Sequence, residues 1–356
     1  MKAVILVGGE GTRLRPLTCN TPKAMVPVLN RPFLEHVLCH LKSHGVDTVV
    51  LALGHLSKSV LDYFGDGSRT RVKLVYSLEE EPLGTAGPVK LAAQHLGERF
   101  LVLNGDVFSD FNITAMIETH VKNKAVATLA LIPVDDPSAY GVVETRTDGR
   151  VLRFIEKPKR EEAPSNMINA GLYVLEPEVL DYIPPFARVM FENHVFPSLL
   201  NANRPVFGFQ HAGYWIDIGT PQKYLQVNLD MAGKNGAAET CQTQTGAKAQ
   251  VHQTARVSGP VVLSDSCFVG PEVEIEGPAV IGPSSRLEKG AHLSRSVVWG
   301  GTVLDEGCNV SNSVIANDCT VGKGSIVEAC VVSDHVSIAP GTRLEPGSKI
   351  WPPDGR

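Results

Sequence analysis

Residues 2–13 read KAVILVGGEGTR, a short apolar run that leads directly into glycines. A run of this kind is typical of a buried parallel strand. Glycines let the backbone approach a phosphate closely and point consecutive N–H groups at it. Arg13 and Arg15 add positive charge that can make bidentate contacts with phosphate oxygens. The stretch therefore predicts a strand and a loop that holds the triphosphate of a nucleotide, although a tight turn between strand and helix would use the same residues.

The following segments alternate between strands and helices. Pro32 is suited to open a helix, and Gly45 to stop it. Further strands are predicted at Thr48–Leu53, Val72–Tyr76 and Phe100–Leu103, and further helices at Ser57–Phe64 and Ala86–Leu96. This α/β alternation predicts a mostly parallel sheet covered on both faces. In such sheets ligands bind at the carboxyl ends of the strands, so the loops there should carry the chemistry.

A different periodicity begins beyond about residue 233. Apolar residues recur every six positions at Val251, Val257, Leu263, Val269, Ile275, Ile281, Leu287 and Leu293, and after a slip near Val298 the spacing returns at Val332. A six-residue repeat with an inward aliphatic residue describes a β-helix. The pattern resembles the hexapeptide repeats of left-handed β-helix domains; a β-sandwich of short strands is the alternative. We expect an α/β domain at 1–232, a linker at 233–248 and a β-helix at 249–356.

Composition restricts the class of protein. The 356 residues suffice for two domains, and the net charge of −5 argues against nucleic acid as a partner. No apolar run approaches the roughly 20 residues needed to span a bilayer, so no membrane association is expected. The seven cysteines include no Cys-x-x-Cys pair, which disfavours zinc and disulfides and favours a reducing, cytoplasmic location. Cys308, Cys319 and Cys330 recur every 11 residues, as stacked turns of a repeat would place them.

A second motif follows the glycine loop. Residues 22–28 read PKAMVPV and hold Lys23 between prolines, which makes it a rigidly placed cation. Such a lysine can neutralise charge on a phosphate under attack, or it can be an ordinary solvated lysine. The glycine spacing is not that of a P-loop, and no ribose-binding acid ends the second strand. Both P-loop NTPases and dehydrogenases are therefore disfavoured.

Together, residues 8–18 (GGEGTRLRPLT) and 22–28 resemble the signature of sugar-1-phosphate nucleotidyltransferases. More motifs of that family follow in order at residues 82–88, 104–106, 140–143, 156–158, 169–171 and 215–221. The hexapeptide tail also occurs in several branches, so the resemblance covers nearly the whole chain. It implies a Rossmann-like nucleotidyltransferase domain followed by a left-handed β-helix.

The resemblance implies that a phosphate oxygen of a sugar 1-phosphate attacks the α-phosphorus of a nucleoside triphosphate. The nucleophile is already ionised at neutral pH, so catalysis reduces to alignment and charge neutralisation. Arg13, Lys23 and Lys157 supply cations, and Asp106 and Asp217 can share a Mg²⁺ that bridges the phosphates. The predicted catalytic residues are Arg13, Lys23 and Asp106. Either aspartate alone could instead be a helix cap or turn residue.

The same resemblance assigns two sets of binding residues. The nucleotide-binding set is Leu6, Gly8, Gly9, Gly11, Thr12, Arg13, Lys23, Glu79, Pro82, Gly84 and Thr85. The sugar-phosphate-binding set is Gly141, Glu156, Lys157, Asn169 and Gly171. Glu156 can accept hydrogen bonds from sugar hydroxyls; the alternative is that Glu156 and Lys157 form a surface ion pair of little energetic value.

The loop at residues 79–87 and the strand end at residues 6–9 most closely resemble the mannose-1-phosphate guanylyltransferase branch. Guanine offers two adjacent donors, N1–H and the N2 amino group, which suit a carboxylate acceptor. Glu79 is the candidate reader of the base, while Glu80 in that role, or all three acids facing solvent, stay open. Residues 189–197 depart from the usual flanks of the sugar pocket, so glucose 1-phosphate and heptose 1-phosphate also stay open.

Two rival functions come from other classes. The β-helix could be an acyltransferase using His252, His292 or His335, but the repeat region is short and has no evident inserted loop. A regulatory or scaffold subunit that binds sugar nucleotide without turnover would tend to lose the phosphate cations or metal ligands, and all of these are present here. We expect the β-helix to mediate assembly into a homo-oligomer.

Overall fold

The computed structural model describes residues 1–54, 57–233 and 248–353, and all but the ends of the predicted linker at 233–248 lie outside them. By their contacts, the described residues form two compact units. The sheet unit comprises residues 1–10 and 37–216, and the coil unit comprises residues 11–36 and everything described from residue 217 onward. The chain therefore passes from one unit to the other within the glycine loop.

The sheet unit contains one large sheet, in which the described residues form nine strands. In chain order these are β1 (Lys2–Val7), β2 (Thr48–Leu53), β3 (Lys73–Leu78), β4 (Phe100–Asn104), β5 (Ala127–Pro133), β6 (Gly141–Thr145), β7 (Val151–Glu156), β8 (Met167–Leu175) and β9 (Val206–Gln210). Their order across the sheet is β7-β6-β8-β4-β1-β2-β3, and β5 pairs with both β8 and β9.

Strand direction changes at β8. Strands β1 to β4 are mutually parallel where they pair, with Ala3 opposite both Val49 and Leu101. Strand β8 runs antiparallel to β4, β5 and β6, and β6 pairs antiparallel with β7 because only a short turn connects them. Ala3, Val4 and Ile5 are all fully buried, so both faces of the central strand are covered. The α/β class predicted from the alternation is confirmed.

Helices occupy most of the predicted positions. They are α1 (Phe33–Ser43), α2 (Ser57–Phe64), α3 (Gly87–Leu91), α4 (Ile113–Lys122), α5 (Phe196–Asn201) and α6 (Pro221–Gly233). Helix α1 starts at Phe33, one residue later than predicted, because Pro32 belongs to a short strand. Gly45 at φ +78° follows its end, as the sequence predicts. The helix expected at Ala86–Leu96 divides into α3 and a 3-10 turn at Ala92–His95.

Short elements complete the described secondary structure outside the repeats. They are 3-10 turns at Thr12–Leu14, Lys23–Met25, Ser68–Thr70, Arg160–Glu162 and Pro177–Tyr182, a π turn at Phe191–Val195, and two-stranded pairs that join Pro27–Val28 with Arg31–Pro32 and Val107–Ser109 with Trp215–Asp217. Across the described ranges, no helix has the length and apolar character needed to cross a bilayer.

The repeats of the coil unit stack as three parallel sheets. The first contains Gln250–Val251, Phe268–Val269, Arg286–Leu287, Val303–Leu304, Thr320–Val321 and Ser337–Ile338; the second Arg256–Ser258, Glu274–Glu276, His292–Ser294, Asn309–Ser311 and Ile326–Glu328; the third Val261–Leu263, Ala279–Ile281, Val297–Val298, Val314–Ile315, Val331–Val332 and Lys349–Ile350. Successive coils pair parallel and in register, which fits a left-handed β-helix and not a β-sandwich.

The slip in the six-residue spacing has a structural cause. Val251, Val269 and Leu287 stack at intervals of 18 residues, whereas Leu287, Leu304 and Val321 stack at intervals of 17. One side of the coil has lost a residue, because the step between the second and third sheets shortens from six residues to five. This shortening first occurs between Leu293 and Val298, where the sequence pattern slips.

The stacked aliphatic residues form the core of the coils. Leu304, Cys308, Cys319 and Cys330 are buried in it. The cysteines precede strands of three different sheets and do not lie above one another, because the coil repeats there every 17 residues and not every 11. Burial raises the pKa of the Cys308 and Cys319 thiols to about 12, which keeps them protonated at neutral pH.

Candidate functional site

The first strand ends at a close contact within the sheet unit. A Cβ built at Gly8 would lie 2.8 Å from Oε1 of Glu79, so a side chain at this position would displace the glutamate. The carbonyl of Leu6 accepts a 3.0 Å hydrogen bond from the N–H of Gly105. The fold thus brings the start of the glycine loop beside Glu79 and beside the residue that precedes Asp106. Gly9 is exposed and makes no comparable approach.

Glu79 differs from the acids that follow it. It is half-buried and its Oε2 accepts a 3.0 Å hydrogen bond from the N–H of Leu83, whereas Glu80 and Glu81 are exposed. Burial raises the pKa of Glu79, and the hydrogen bond from Leu83 partly opposes that rise. Its carboxylate therefore holds the 79–83 loop closed and faces the glycine loop. Pro82 is exposed in the same loop.

Thr85 is hydrogen-bonded to Glu192, a residue that neither predicted binding set contains. Its hydroxyl donates a 2.7 Å hydrogen bond to Oε2 of Glu192 and accepts a 2.9 Å hydrogen bond from the N–H of Phe191. Burial raises the pKa of Glu192, and the charge of Glu156 adds to that rise. Gly84, beside Thr85, lies against the backbone of Val189. The acid in residues 189–197 was visible in the sequence, but only the fold pairs it with Thr85.

The carboxyl end of β4 gathers polar groups. A Cβ built at Gly171 would lie 2.6 Å from Nδ2 of Asn104, so only glycine fits beside this amide. Asn169 donates a 2.7 Å hydrogen bond to the hydroxyl of Tyr173 and accepts a 3.1 Å hydrogen bond from the N–H of Gly171. Oδ1 of Asn104 is buried and has no hydrogen-bond partner among the described residues. Asp106 follows two residues later in the sequence, just after β4.

Strands β6 and β7 bring Gly141, Glu156 and Lys157 together. Gly141 lies opposite Glu156 in the register, and a Cβ built there would lie 2.9 Å from Oε2 of that glutamate. Lys157 adopts a left-handed φ of +47°, its N–H donates to the carbonyl of Tyr140, and its Nζ lies 3.2 Å from Oε1 of Glu156. The lysine side chain is 65% exposed, so the ion pair itself contributes little stability and both charges remain available to a ligand.

Within the coil unit, the rest of the glycine loop packs on itself. The hydroxyl of Thr18 donates a 2.8 Å hydrogen bond to the carbonyl of Gly11. A Cβ built at Gly11 would lie 3.3 Å from Cβ of Lys23. Thr12 and Arg13 occupy an exposed 3-10 turn between these contacts. Gly11, Thr12, Arg13 and Lys23 are therefore held in one folded segment.

Asp217 in the coil unit is surrounded by donors. Its Oδ1 accepts a 3.0 Å hydrogen bond from the N–H of Gly219, and its Oδ2 accepts one from Nζ of Lys223. The guanidinium carbon of Arg13 lies 3.5 Å from the position that a Cβ of Gly219 would take. Lys223 therefore pairs with this carboxylate, and Arg13 lies beside the same turn. The sequence analysis did not identify Lys223 as a site residue. The signal for it was its place in the first turn of α6, six residues after Asp217.

Comparison with known proteins gives two family matches. Residues 2–234 match the nucleotidyl transferase family, and residues 246–352 match the GMPPB C-terminal domain family. Among curated relatives, the mannose-1-phosphate guanylyltransferase of Mycobacterium tuberculosis is 37% identical over 82% of this chain and 83% of its own. A probable mannose-1-phosphate guanylyltransferase 1 of Oryza sativa is 40% identical over 85% of this chain and 82% of its own.

Other relatives carry different substrate names. The UTP–glucose-1-phosphate uridylyltransferase of Synechocystis is 34% identical over 84% of this chain and 83% of its own. A crystal structure of a putative glucose-1-phosphate thymidylyltransferase from Bacillus anthracis superposes with a TM-score of 0.59 at 27% identity, and covers 64% of this chain and 94% of that one. The family resemblance read from the motifs is confirmed: this chain belongs to the nucleotidyl transferase family.

Proposed function

We propose that this protein transfers a nucleotidyl group from GTP to mannose 1-phosphate and releases pyrophosphate. The observation that carries the proposal is the family match over both parts of the chain, together with guanylyltransferase relatives at 37–40% identity. In this reaction a phosphate oxygen of the sugar phosphate forms a bond to the α-phosphorus, and the bond from that phosphorus to the pyrophosphate oxygen breaks. No proton has to be removed from the nucleophile, because it is already an anion.

The chain's contribution is chiefly electrostatic and positional. Both reactants are anions, so their approach is unfavourable unless positive charge lies near the phosphates. Arg13 and Lys23 are held in one folded segment and are proposed to contact the triphosphate. Lys157, with its exposed Nζ, is proposed to bind the phosphate of the sugar. Glu156 is proposed to accept hydrogen bonds from sugar hydroxyls, and Asn169 to donate hydrogen bonds to them.

A divalent metal is general in this family, and we propose Mg²⁺ here with Asp106 and Asp217 as its ligands. The donor chemistry fits, because Mg²⁺ takes carboxylate oxygens and is usually held by one or two of them together with substrate phosphates. The buried Oδ1 of Asn104 has no hydrogen-bond partner among the described residues and adds an oxygen close to Asp106 in the sequence. When bound, the metal neutralises charge that builds up on the phosphates.

We propose that Glu79 reads the guanine base. Among the three consecutive acids, Glu79 is the half-buried one and the one that lies against Gly8. A carboxylate there presents only acceptors, which suit the adjacent N1–H and N2 donors of guanine. Uracil and thymine offer a single donor between two acceptors and are a poorer match.

A competition assay tests the substrate proposal. The protein is given equimolar GTP, ATP, UTP and dTTP with Mg²⁺ and one sugar 1-phosphate at a time, chosen from mannose, glucose and heptose phosphates. GDP-mannose is expected as the predominant nucleotide sugar. Preferential formation of a UDP- or dTDP-sugar would overturn the base assignment, and preference for glucose or heptose phosphate would overturn the sugar assignment.

Glu79→Gln is expected to reduce the preference for GTP over UTP by about tenfold to a hundredfold, since a hydrogen bond to a charged group contributes about 1.5–3 kcal/mol. Glutamine keeps an oxygen that can accept from Leu83, so the loop retains its shape. The matched control is Glu80→Gln, which alters an exposed neighbour and is expected to leave the preference unchanged. An altered preference in the Glu80 variant alone would move the role to that residue.

We also propose a cytoplasmic location and assembly through the β-helix with a second copy of the chain. The protonated, buried thiols of the coils fit a reducing compartment. Val251 and Val257 occupy inward-facing positions in the first coil yet remain 47% and 44% exposed, as at the open end of a β-helix. Oligomeric state in solution, measured by light scattering, tests the assembly.

A further inference from the structure

Residues 11–36, which carry Arg13 and Lys23, pack on the C-terminal repeats of their own unit. Residues 11–36 group by contacts with the coils and with α6. The hydroxyl of Ser333 donates a 3.0 Å hydrogen bond to the carbonyl of Pro16, and Nδ2 of Asn30 donates a 2.9 Å hydrogen bond to the carbonyl of Ile281. Ser333 and Ile281 are fully buried in the coils. The segment that carries Arg13 and Lys23 is therefore hydrogen-bonded to the β-helix at two points.

A relay through α6 makes a third connection. The hydroxyl of Tyr224 donates to the carbonyl of Pro27 and accepts a 2.8 Å hydrogen bond from Nε1 of Trp299 in the coils. Tyr224 and Trp299 are almost completely buried, and their rings meet edge to face at 6.1 Å. One turn further along α6, Oδ1 of Asn228 accepts a 3.0 Å hydrogen bond from the N–H of Leu29. The relay links the coils to the residues that follow Lys23.

These contacts flank Lys23 and lie close after Arg13. Pro16 lies three residues after Arg13, and Pro27 lies four residues after Lys23. Hydrogen bonds buried away from water are costly to break without replacement, so the two carbonyls act as fixed points. Electrostatic catalysis depends on cations that are already in place when charge develops, and small displacements of such groups cost rate.

We infer that the β-helix is a positioning part of the transfer site: Ser333, and Trp299 through Tyr224, hold the segment that carries Arg13 and Lys23 and so set the rate of transfer without contacting a substrate. The inference rests on the proposed transfer reaction. It gives the repeats a role within one chain that is separate from assembly, and it explains why residues more than 300 positions apart in the sequence are joined by a buried hydrogen bond.

The test compares two buried serines of the coils. Ser333 and Ser325 are both fully buried and each donates to a backbone carbonyl, Ser333 to Pro16 and Ser325 to Ala339 within the coils. Ser333→Ala is expected to lower kcat/KM by about threefold to tenfold, the loss that corresponds to one net hydrogen bond. Ser325→Ala is expected to stay within about twofold of the wild type, although it removes the same kind of bond.

Amide hydrogen exchange gives a readout that does not depend on turnover. In Ser333→Ala, exchange of residues 12–25 is expected to accelerate while exchange in the coils remains as in Ser325→Ala. Equal kinetics and equal exchange in the two variants would overturn the inference. Tyr224→Phe, which removes the hydroxyl of the relay, is expected to accelerate exchange in the same segment, and unchanged exchange there would count against it.

The two proposals can fail separately. If the wild type shows no transfer with any substrate pair, the proposed function fails, and selective exchange in Ser333→Ala still establishes the restraint of the segment. If the wild type is active and Ser333→Ala matches Ser325→Ala in both kinetics and exchange, the positioning role fails and the proposed function stands.

Discussion

Arg13→Ala is expected to lower kcat/KM by about a hundredfold to a thousandfold, the loss usually measured when one preorganised charge-stabilising donor is removed. Arg13 is exposed on a turn fixed by Gly11 and Thr18, and its guanidinium lies beside the Asp217–Gly219 turn. Because it supports no buried core, its removal should change turnover far more than stability. Steady-state kinetics together with thermal unfolding separate the two effects.

Two further variants sharpen this result. Arg13→Lys keeps the charge but loses the planar fork, and it is expected to recover part of the activity lost in the alanine variant. Arg295→Ala removes an exposed arginine of the coils and is expected to leave turnover unchanged. Kinetics of Arg13→Ala within twofold of the wild type would remove Arg13 from the mechanism.

Asp217→Asn and Asp106→Asn are each expected to reduce metal-dependent turnover by about a thousandfold, since a bound metal supplies several kcal/mol of charge stabilisation. Asparagine keeps an oxygen that can accept from the N–H of Gly219, so the local turn at residue 217 should survive. Titration of Mg²⁺ against turnover, and calorimetric titration of Mg²⁺ into the protein with bound nucleotide, measure the two consequences.

The matched control is Asp148→Asn. Asp148 is an exposed turn residue whose carboxylate accepts from the N–H of Arg150, and asparagine can keep this bond. Its replacement is expected to leave both turnover and metal dependence unchanged. Metal affinity at the wild-type level in both Asp106→Asn and Asp217→Asn would remove these residues as ligands.

Local patterns predicted most of the architecture. Strand β2 and helix α2 occupy the predicted ranges, and β4 extends one residue beyond its prediction, because buried strands and capped helices are encoded in apolar spacing and in proline and glycine. The reversal at β8 was not predicted, since strand direction depends on how connections cross the sheet and not on local composition. In the coils, the aliphatic spacing predicted stacked turns, and its slip marked the side that loses one residue.

Long-range contacts account for what the sequence did not reveal. The bond from Ser333 to Pro16, the pairing of Thr85 with Glu192 and that of Asp217 with Lys223 have no signature in a single sequence, because ordinary residue types at those positions have many other uses. The motifs located the predicted site residues along the chain. The fold alone brought Glu79 to Gly8 and attached residues 11–36 to the β-helix.

The most direct test of the central claim is pyrophosphate release by the purified full chain, followed together with nucleotide-sugar formation. With GTP, mannose 1-phosphate and Mg²⁺, we expect one pyrophosphate for each GDP-mannose formed, and none when the sugar phosphate is omitted. Absence of pyrophosphate with every combination of GTP, ATP, UTP or dTTP and mannose, glucose or heptose 1-phosphate would contradict the account.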